Sequence, residues 1–257
     1  MLIPVVLFII GLLCLIKGGD WFVDGASALA RRFHLPELLI GATVVSIGTT
    51  LPEVMVSTMS AVSGHGEIAY GNAIGSVICN AALIAAITIA VRPGKVDRKT
   101  LGMPVAFFFA AAAIYCVAAY GFGKFTRPMG LIMLALFVAY MVANVLQMKN
   151  APAGAEAEAE AEAAEEEMTL TKTLVLLVAG AVLIAVGANL LVDNGTLIAQ
   201  ALGVPESVIA LTFVALGTSL PELSRPSRPS SRAAATSRWA TSWVPTSSIW
   251  CWSAARP

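Results

Sequence analysis

The sequence predicts an all-α polytopic membrane protein, an inverted repeat of five-helix halves whose second half stops after about two helices. Three observations predict it. The 257 residues are 58% hydrophobic and 12% charged, with mean hydropathy +0.81, the profile of a chain that spans a bilayer rather than one that buries a soluble core. Apolar runs of about 18 residues or more recur along its length. Two unusual phrases, Gly48-Thr49-Thr50-Leu51-Pro52-Glu53 and Gly217-Thr218-Ser219-Leu220-Pro221-Glu222, stand 169 residues apart inside or at the end of such runs. A proline and a carboxylate are both costly there, so meeting the cost twice at matched positions points to function.

Taken in order, the apolar runs lie near 2–30, 36–62, 68–91, 103–122, 128–148, 170–201 and 205–222. Gly18-Gly19-Asp20 interrupts the first and Gly187-Ala188-Asn189 the sixth. The opening run lacks a basic n-region and a small-residue cleavage site, so it reads as a retained helix. Residues 1–150 form a first repeat of five transmembrane helices, and 151–169 an acidic cytoplasmic linker. Residues 170–223 begin an inverted second repeat, and 224–257 read as an out-of-frame tail. Seven glutamates crowd positions 156–167. They repel one another and lack Lys partners at helical spacing, so the linker reads as a solvated spacer.

The duplication extends beyond the two phrases. Gly18, Val23, Asp24, Ala30, Pro36, Glu37 and Thr43 meet identical residues at Gly187, Val192, Asp193, Ala199, Pro205, Glu206 and Thr212 under the same shift. Five spans precede the second copy, an odd number, so that copy should be inverted. Charge agrees. Arg31-Arg32 faces Gln200-Ala201 in the other copy; Arg92, Lys95, Arg98 and Lys99 follow span three; Lys149 and Lys172 flank the linker. The opposite side carries only Lys124 and Arg127. The positive-inside rule puts the amino terminus outside and the linker in the cytoplasm of a multi-pass protein of the plasma (inner) membrane.

Pro52 has no N–H to give the carbonyl of Gly48, so the second span is expected to bend or open beside Thr49, Thr50 and Glu53. Pro221 repeats this beside Thr218, Ser219 and Glu222. In span three Asn72, Ser76 and Asn80 recur every fourth residue and form one polar stripe. Asn and Ser taken alone would read equally well as interhelical glue; beside the paired carboxylate phrase, Ser76 and Asn80 are expected to line a site. Gly71 and Gly75 would admit a close helix neighbour. Every donor is a hard oxygen or amide, which suits Ca²⁺ and Na⁺ rather than zinc or copper. An empty pair of carboxylates at membrane depth is costly, so crossing while loaded is favoured and exchange follows. Cys14, Cys79 and Cys116 read as small hydrophobes, without disulfide or metal spacing. Asp24 and Asp193 are expected to cap or pair helices, and His34 and His65 to sit solvated in short loops.

These residues closely resemble the sodium/calcium exchanger family of the cation/Ca²⁺ exchanger superfamily, most of all its bacterial branch, over residues 1 to about 223. The first signature repeat, 41–80, is nearly complete; Val77 stands where the family usually has Asn. The resemblance implies ten helices in two inverted halves, a midplane site and alternating access. It implies Glu53 and Glu222 as principal metal ligands, with Thr49, Thr50, Ser76, Asn80, Thr218 and Ser219 as their neighbours. Ca²⁺ and Na⁺ are then transported substrates; no cofactor, no enzymatic activity and no nucleic-acid partner are expected. The lipid bilayer is the expected partner, and the oligomeric state stays undetermined. Ca²⁺/H⁺ or K⁺-linked exchange and a non-transporting membrane remnant or scaffold remain as alternatives. An intramembrane enzyme using Asp20, Asp24 or a glutamate is disfavoured, because Asn189 stands opposite Asp20 and no nucleophile or metal triad is visible.

Residues 224–257 change character: five Arg, four of the five Trp and no acidic residue. Starting each codon at the third base of the printed one permits Gly-Asn-x-x-Gly-(Ser/Ala)-Asn-x-x-Asn-Leu-Val-Leu-Val across Trp239 to Ser253. That pattern mirrors Gly71 to Asn80 at the expected distance. A frameshift near Leu223 is the expectation, and with it a product whose exchange is impaired.

Overall fold

Each apolar run becomes a helical stretch in the computed structural model, which describes residues 2–91, 98–149 and 168–220. These are α1 (Leu2–Arg32), α2 (37–62), α3 (Gly66–Val91), α4 (98–122), α5 (Arg127–Lys149), α6 (Leu170–Leu202) and α7 (Glu206–Thr218). No strand occurs among the described residues. Among the described residues five stretches are long and apolar enough to cross a membrane: α1, α3, α6, Leu101–Phe122 of α4 and Arg127–Gln147 of α5. The linker, the tail and the pair Pro221-Glu222 lie outside the described residues.

α1 and α6 are the longest elements, 31 and 33 residues. At 1.5 Å per residue they measure about 46 and 50 Å, against a hydrocarbon core of about 30 Å, so both must tilt or project. They pack antiparallel along a seam of small residues at seven-residue spacing: Gly11, Gly18 and Gly25 meet Gly187, Gly180 and Thr173. A methyl group on Gly18 would lie 2.9 Å from the carbonyl oxygen of Gly180, and one on Gly187 would lie 2.7 Å from that of Gly11. In lipid, where apolar surface alone gives helices little reason to associate, such close backbone approach supplies the packing. The 169-residue shift carries Gly11 to Gly180 and Gly18 to Gly187, and so exchanges the two contact pairs. A twofold axis between the helices would have this effect, consistent with an inverted repeat.

Local irregularities are duplicated too. α1 closes on His34 at φ 55 and α6 on Gly203 at φ 67, the left-handed turn that ends many helices. Pro36 and Pro205 then occupy the N-caps of α2 and α7 with φ −55 and −58. Each next helix starts with a short α section and widens into a π-helical segment, Ile40–Val45 in α2 and Ala210–Val214 in α7. Thr43 Oγ1 donates to the carbonyl of Leu39 at 2.6 Å and Thr212 Oγ1 to that of Val208 at 2.7 Å.

The expected opening at Pro52 is corrected here. Ser46–Val62 is one continuous helix through Pro52, and the irregular segment lies upstream of it. One absent N–H deprives only the carbonyl of Gly48, while the bonds of the neighbouring turns persist.

α3 crosses α7 on Gly71 and Gly75, whose added methyl groups would fall 3.0 Å from Ser207 O and 2.5 Å from Leu211 O. The core between the repeats includes Phe8, Leu15, Val56, Ile68, Ile184, Leu191 and Val214. Tyr115 and Met133 form a second cluster between α4 and α5, with Ile74 of α3 against it. Outward faces are apolar: Val175, Val178, Val182 and Val186 of α6 are all exposed, as lipid-facing rows are.

Candidate cation site

Glu53 sits on the inner face of α2 with 0% exposure. Burying a carboxylate in an apolar bundle is costly unless charged or polar groups answer it. The hydroxyl of Ser219, just past α7, donates to Glu53 Oε1 at 3.2 Å. α3 supplies the rest. Asn72 Nδ2 donates to the main-chain oxygen of Glu53 at 3.2 Å and to Ser57 Oγ at 2.9 Å. Asn72 Oδ1 accepts from Thr218 Oγ1 at 3.2 Å, and Thr218 Oγ1 lies 3.3 Å from Ser76 Oγ. Asn72, Ser76, Thr218 and Ser219 are as fully buried as Glu53. Two segments of the first repeat and one of the second thus share a single hydrogen-bonded network.

Thr49 and Thr50 occupy the preceding turn of α2 and are buried, four and three residues before Glu53 and therefore near its face. Both hydroxyls donate back to the carbonyl of Ser46, at 3.2 and 2.9 Å. A hydroxyl whose proton is committed to the backbone keeps its lone pairs for a cation. Asn80 lies one turn beyond Ser76, in the π-helical segment Cys79–Ile84 of α3. It is 2% exposed, and neither atom of its amide has a hydrogen-bond partner among the described residues. A buried amide without partners calls for an explanation, and a bound ion or water is one that fits a place one turn beyond Ser76.

Of the residues flagged from the sequence, Glu53, Ser76, Thr218 and Ser219 are brought into contact directly or through Asn72. Thr49, Thr50 and Asn80 stand buried on adjoining turns of the same helices. Glu222 lies outside the described residues. Among the described residues no three His, Cys, Asp or Glu side chains gather as metal ligands, so the donor set here is one carboxylate with hydroxyl, amide and carbonyl groups. Such hard donors suit Ca²⁺ or Na⁺. The sequence reading did not assign Ser57 a part, though its place four residues after Glu53 was a usable signal. Asn72, placed on the polar stripe but not among the expected ligands, joins the two repeats by hydrogen bonds to Glu53 and Thr218.

His65 departs from its expected place in a solvated loop. Its Nδ1 lies 3.1 and 3.0 Å from the two carboxylate oxygens of Glu206 and 3.4 Å from Thr196 Oγ1. Beside it Glu67 Oε2 accepts from Ser207 Oγ at 3.3 Å. The corner between α2 and α3 therefore grips the corner between α6 and α7, a meeting that local patterning cannot reveal. Glu37, the counterpart of Glu206, is instead held by Arg31 Nε at 2.7 Å. The second repeat has Gln200 in place of Arg31, so Glu206 takes its partner from the other repeat. Asp24 and Asp193 are exposed.

Comparison with known proteins follows the same lines. The family model described as sodium/calcium exchanger protein matches residues 3–146 and 172–225. An uncharacterized membrane protein of Methanocaldococcus jannaschii, MJ0091, is 38% identical over 219 residues, 84% of this chain and 68% of that one. The inner membrane protein YrbG of Escherichia coli K12 is 34% identical over 226 residues, 87% of this chain and 69% of that one. Among solved structures, the sodium-calcium exchanger NCX_Mj soaked with 100 mM Na⁺ and 10 mM Sr²⁺ superposes with TM-score 0.59 at 34% identity, over 99% of this chain and 82% of that one. From the duplicated phrases, the buried oxygen-rich network and these matches together, the chain belongs to the sodium/calcium exchanger protein family.

Proposed function

We propose that this chain descends from, and is built as, an antiporter exchanging Ca²⁺ for Na⁺ by alternating access. Glu53 and Glu222 are its principal ligands, and Thr49, Thr50, Ser76, Asn80, Thr218 and Ser219 complete the site. One observation carries the reading: the carboxylate of Glu53 from the first repeat is bonded to Ser219 of the second, inside a fully buried set of hard donors. A site of this kind does not cross the membrane cheaply when empty, because its charge then stays unanswered in low dielectric. One Ca²⁺ or several Na⁺ answer it equally well, so either load permits crossing and the two ions exchange.

The amino terminus is placed outside and the linker in the cytoplasm of the inner membrane. The basic residues near 31–32 and 92–99 support that orientation, as does the rule that such residues stay inside. Residues 224–257 are read as out of frame, and exchange by the chain as printed as impaired. Its composition supports this: five Arg, four Trp and no acid where the repeat calls for a second Gly-Asn helix.

Two measurements test the proposal. Equilibrium ⁴⁵Ca²⁺ binding to the purified chain should be lost in Glu53→Gln, which removes the charge and keeps the shape. In Na⁺-loaded vesicles the printed chain should show little ⁴⁵Ca²⁺ uptake, and a version with the frame restored near Leu223 should show uptake that disappears with choline in place of Na⁺. Uptake unaffected by choline would instead favour H⁺- or K⁺-linked exchange. Binding indifferent to Glu53→Gln would overturn the site.

A further inference from the structure

We propose that Asn72, which no reading above places among the ligands, is a positioning residue for the cation site. It orients the Thr218 hydroxyl and fixes its distance from Glu53. This rests on the proposed function and concerns how the same site is held.

A carboxamide offers two N–H donors and one carbonyl acceptor, and a threonine hydroxyl carries a single proton. Both ends of the Asn72 nitrogen are engaged within the first repeat, at 3.2 Å to the main-chain oxygen of Glu53 and at 2.9 Å to Ser57 Oγ. Those two bonds settle which way the amide faces, so only its oxygen is presented to α7. That oxygen can only accept, and the group that reaches it, at 3.2 Å, is Thr218 Oγ1. Among the described residues the Thr218 proton also has the carbonyl of Ala215 within reach, at 3.2 Å. With its proton drawn to these carbonyls, Thr218 turns lone pairs toward Ser76, so Ser76 is the donor in their 3.3 Å contact. A cation requires that same presentation of lone pairs.

The arrangement is also a ruler. One rigid, 0% exposed side chain touches the backbone of the Glu53 residue in one repeat and the hydroxyl of Thr218 in the other. The two halves of the site cannot separate or slide without breaking it. Alanine at this position would leave a buried carbonyl unserved and a hydroxyl free to rotate its proton into the site. Aspartate would keep the acceptor and lose both donors. Residues that orient metal ligands without touching the metal commonly matter about 10- to 100-fold in affinity.

The test is a double-mutant cycle on ⁴⁵Ca²⁺ affinity in detergent, with Asn72→Ala, Thr218→Val and the pair, each checked by thermal unfolding without Ca²⁺. Asn72→Ala should weaken Ca²⁺ binding about 10- to 100-fold, and the loss should shrink or vanish in the Thr218→Val background, because the two residues act through one bond. Should Asn72→Ala fail to insert, Ser57→Ala loosens only the amide and should give a smaller loss, again dependent on Thr218. An effect on the melting temperature with unchanged affinity, or losses that simply add, overturns the proposal and leaves Asn72 as glue. The cycle is run in the chain with its frame restored near Leu223; absence of Ca²⁺ binding by that chain overturns the proposed function, whereas Ca²⁺ binding that Asn72→Ala leaves unchanged overturns this inference alone.

Discussion

His34 turns the chain at φ 55 where its counterpart in the second repeat is Gly203 at φ 67. A side chain in that left-handed region clashes with its own backbone at a cost of about 1–2 kcal/mol, and His34 is exposed. Replacing His34 by Gly should therefore stabilise the protein by about 1 kcal/mol after the added flexibility of the unfolded chain is subtracted, read as a higher melting temperature in detergent. Gly203→Ala should act in the opposite direction. The same attention to single groups explains why Glu53, Thr49 and Thr50 could be picked out from the chain alone. A carboxylate, a proline and two hydroxyls inside an apolar run have few other reasons to be there. The role of Asn72 could not be picked out, because its partners Glu53 and Thr218 stand 19 and 146 residues away.

Between α1 and α6 the recurring glycines decide how closely two long helices approach. A methyl group on Gly180 would meet the amide nitrogen of Phe22 at 2.5 Å and the carbonyl of Gly18 at 2.7 Å. Both neighbours are backbone, which cannot step aside as a flexible side chain does. Gly180→Ala should destabilise the pair by about 1–3 kcal/mol, seen as a lower melting temperature. Gly102 in α4 has nothing within 4 Å of such a methyl, so Gly102→Ala should instead stabilise by about 0.5–1 kcal/mol. The spans themselves were legible within a few residues, since length and apolarity suffice to define them. The π-helical segments were not, because an extra residue per turn leaves no mark in composition. Pro52 was read as a break for the same reason: its missing N–H is visible in sequence, but the persistence of the turns around it is not.

Among the described residues, and beside the apolar packing of α1 on α6 and α3 on α7, polar side chains join the two repeats through the Glu53–Asn72–Thr218 network and the clasp of His65 on Glu206. The clasp involves side chains 32% and 22% exposed, so it contributes about 1 kcal/mol or less. His65→Ala should raise amide hydrogen exchange around 63–67 and 203–207 together, by up to that free energy, while the segment around Glu53 stays protected. Exchange that rises on one side only would mean the corners are held by packing alone. The clasp also shows how the repeats differ: Arg31 secures Glu37 locally, and with Gln200 in the matching place Glu206 reaches across instead.

The order of residues was enough to establish a membrane protein of repeated architecture, because apolar length, rare buried charges and a shared register are properties of a linear string. It was enough to nominate candidate cation donors as well, since hard oxygens in lipid need a purpose. Which donors meet, and which residue holds them in register, depended on the antiparallel docking of the repeats. Hydrogen bonds between residues more than a hundred positions apart are set by backbone approach at Gly18, Gly75 and Gly180, and no local pattern encodes that distance.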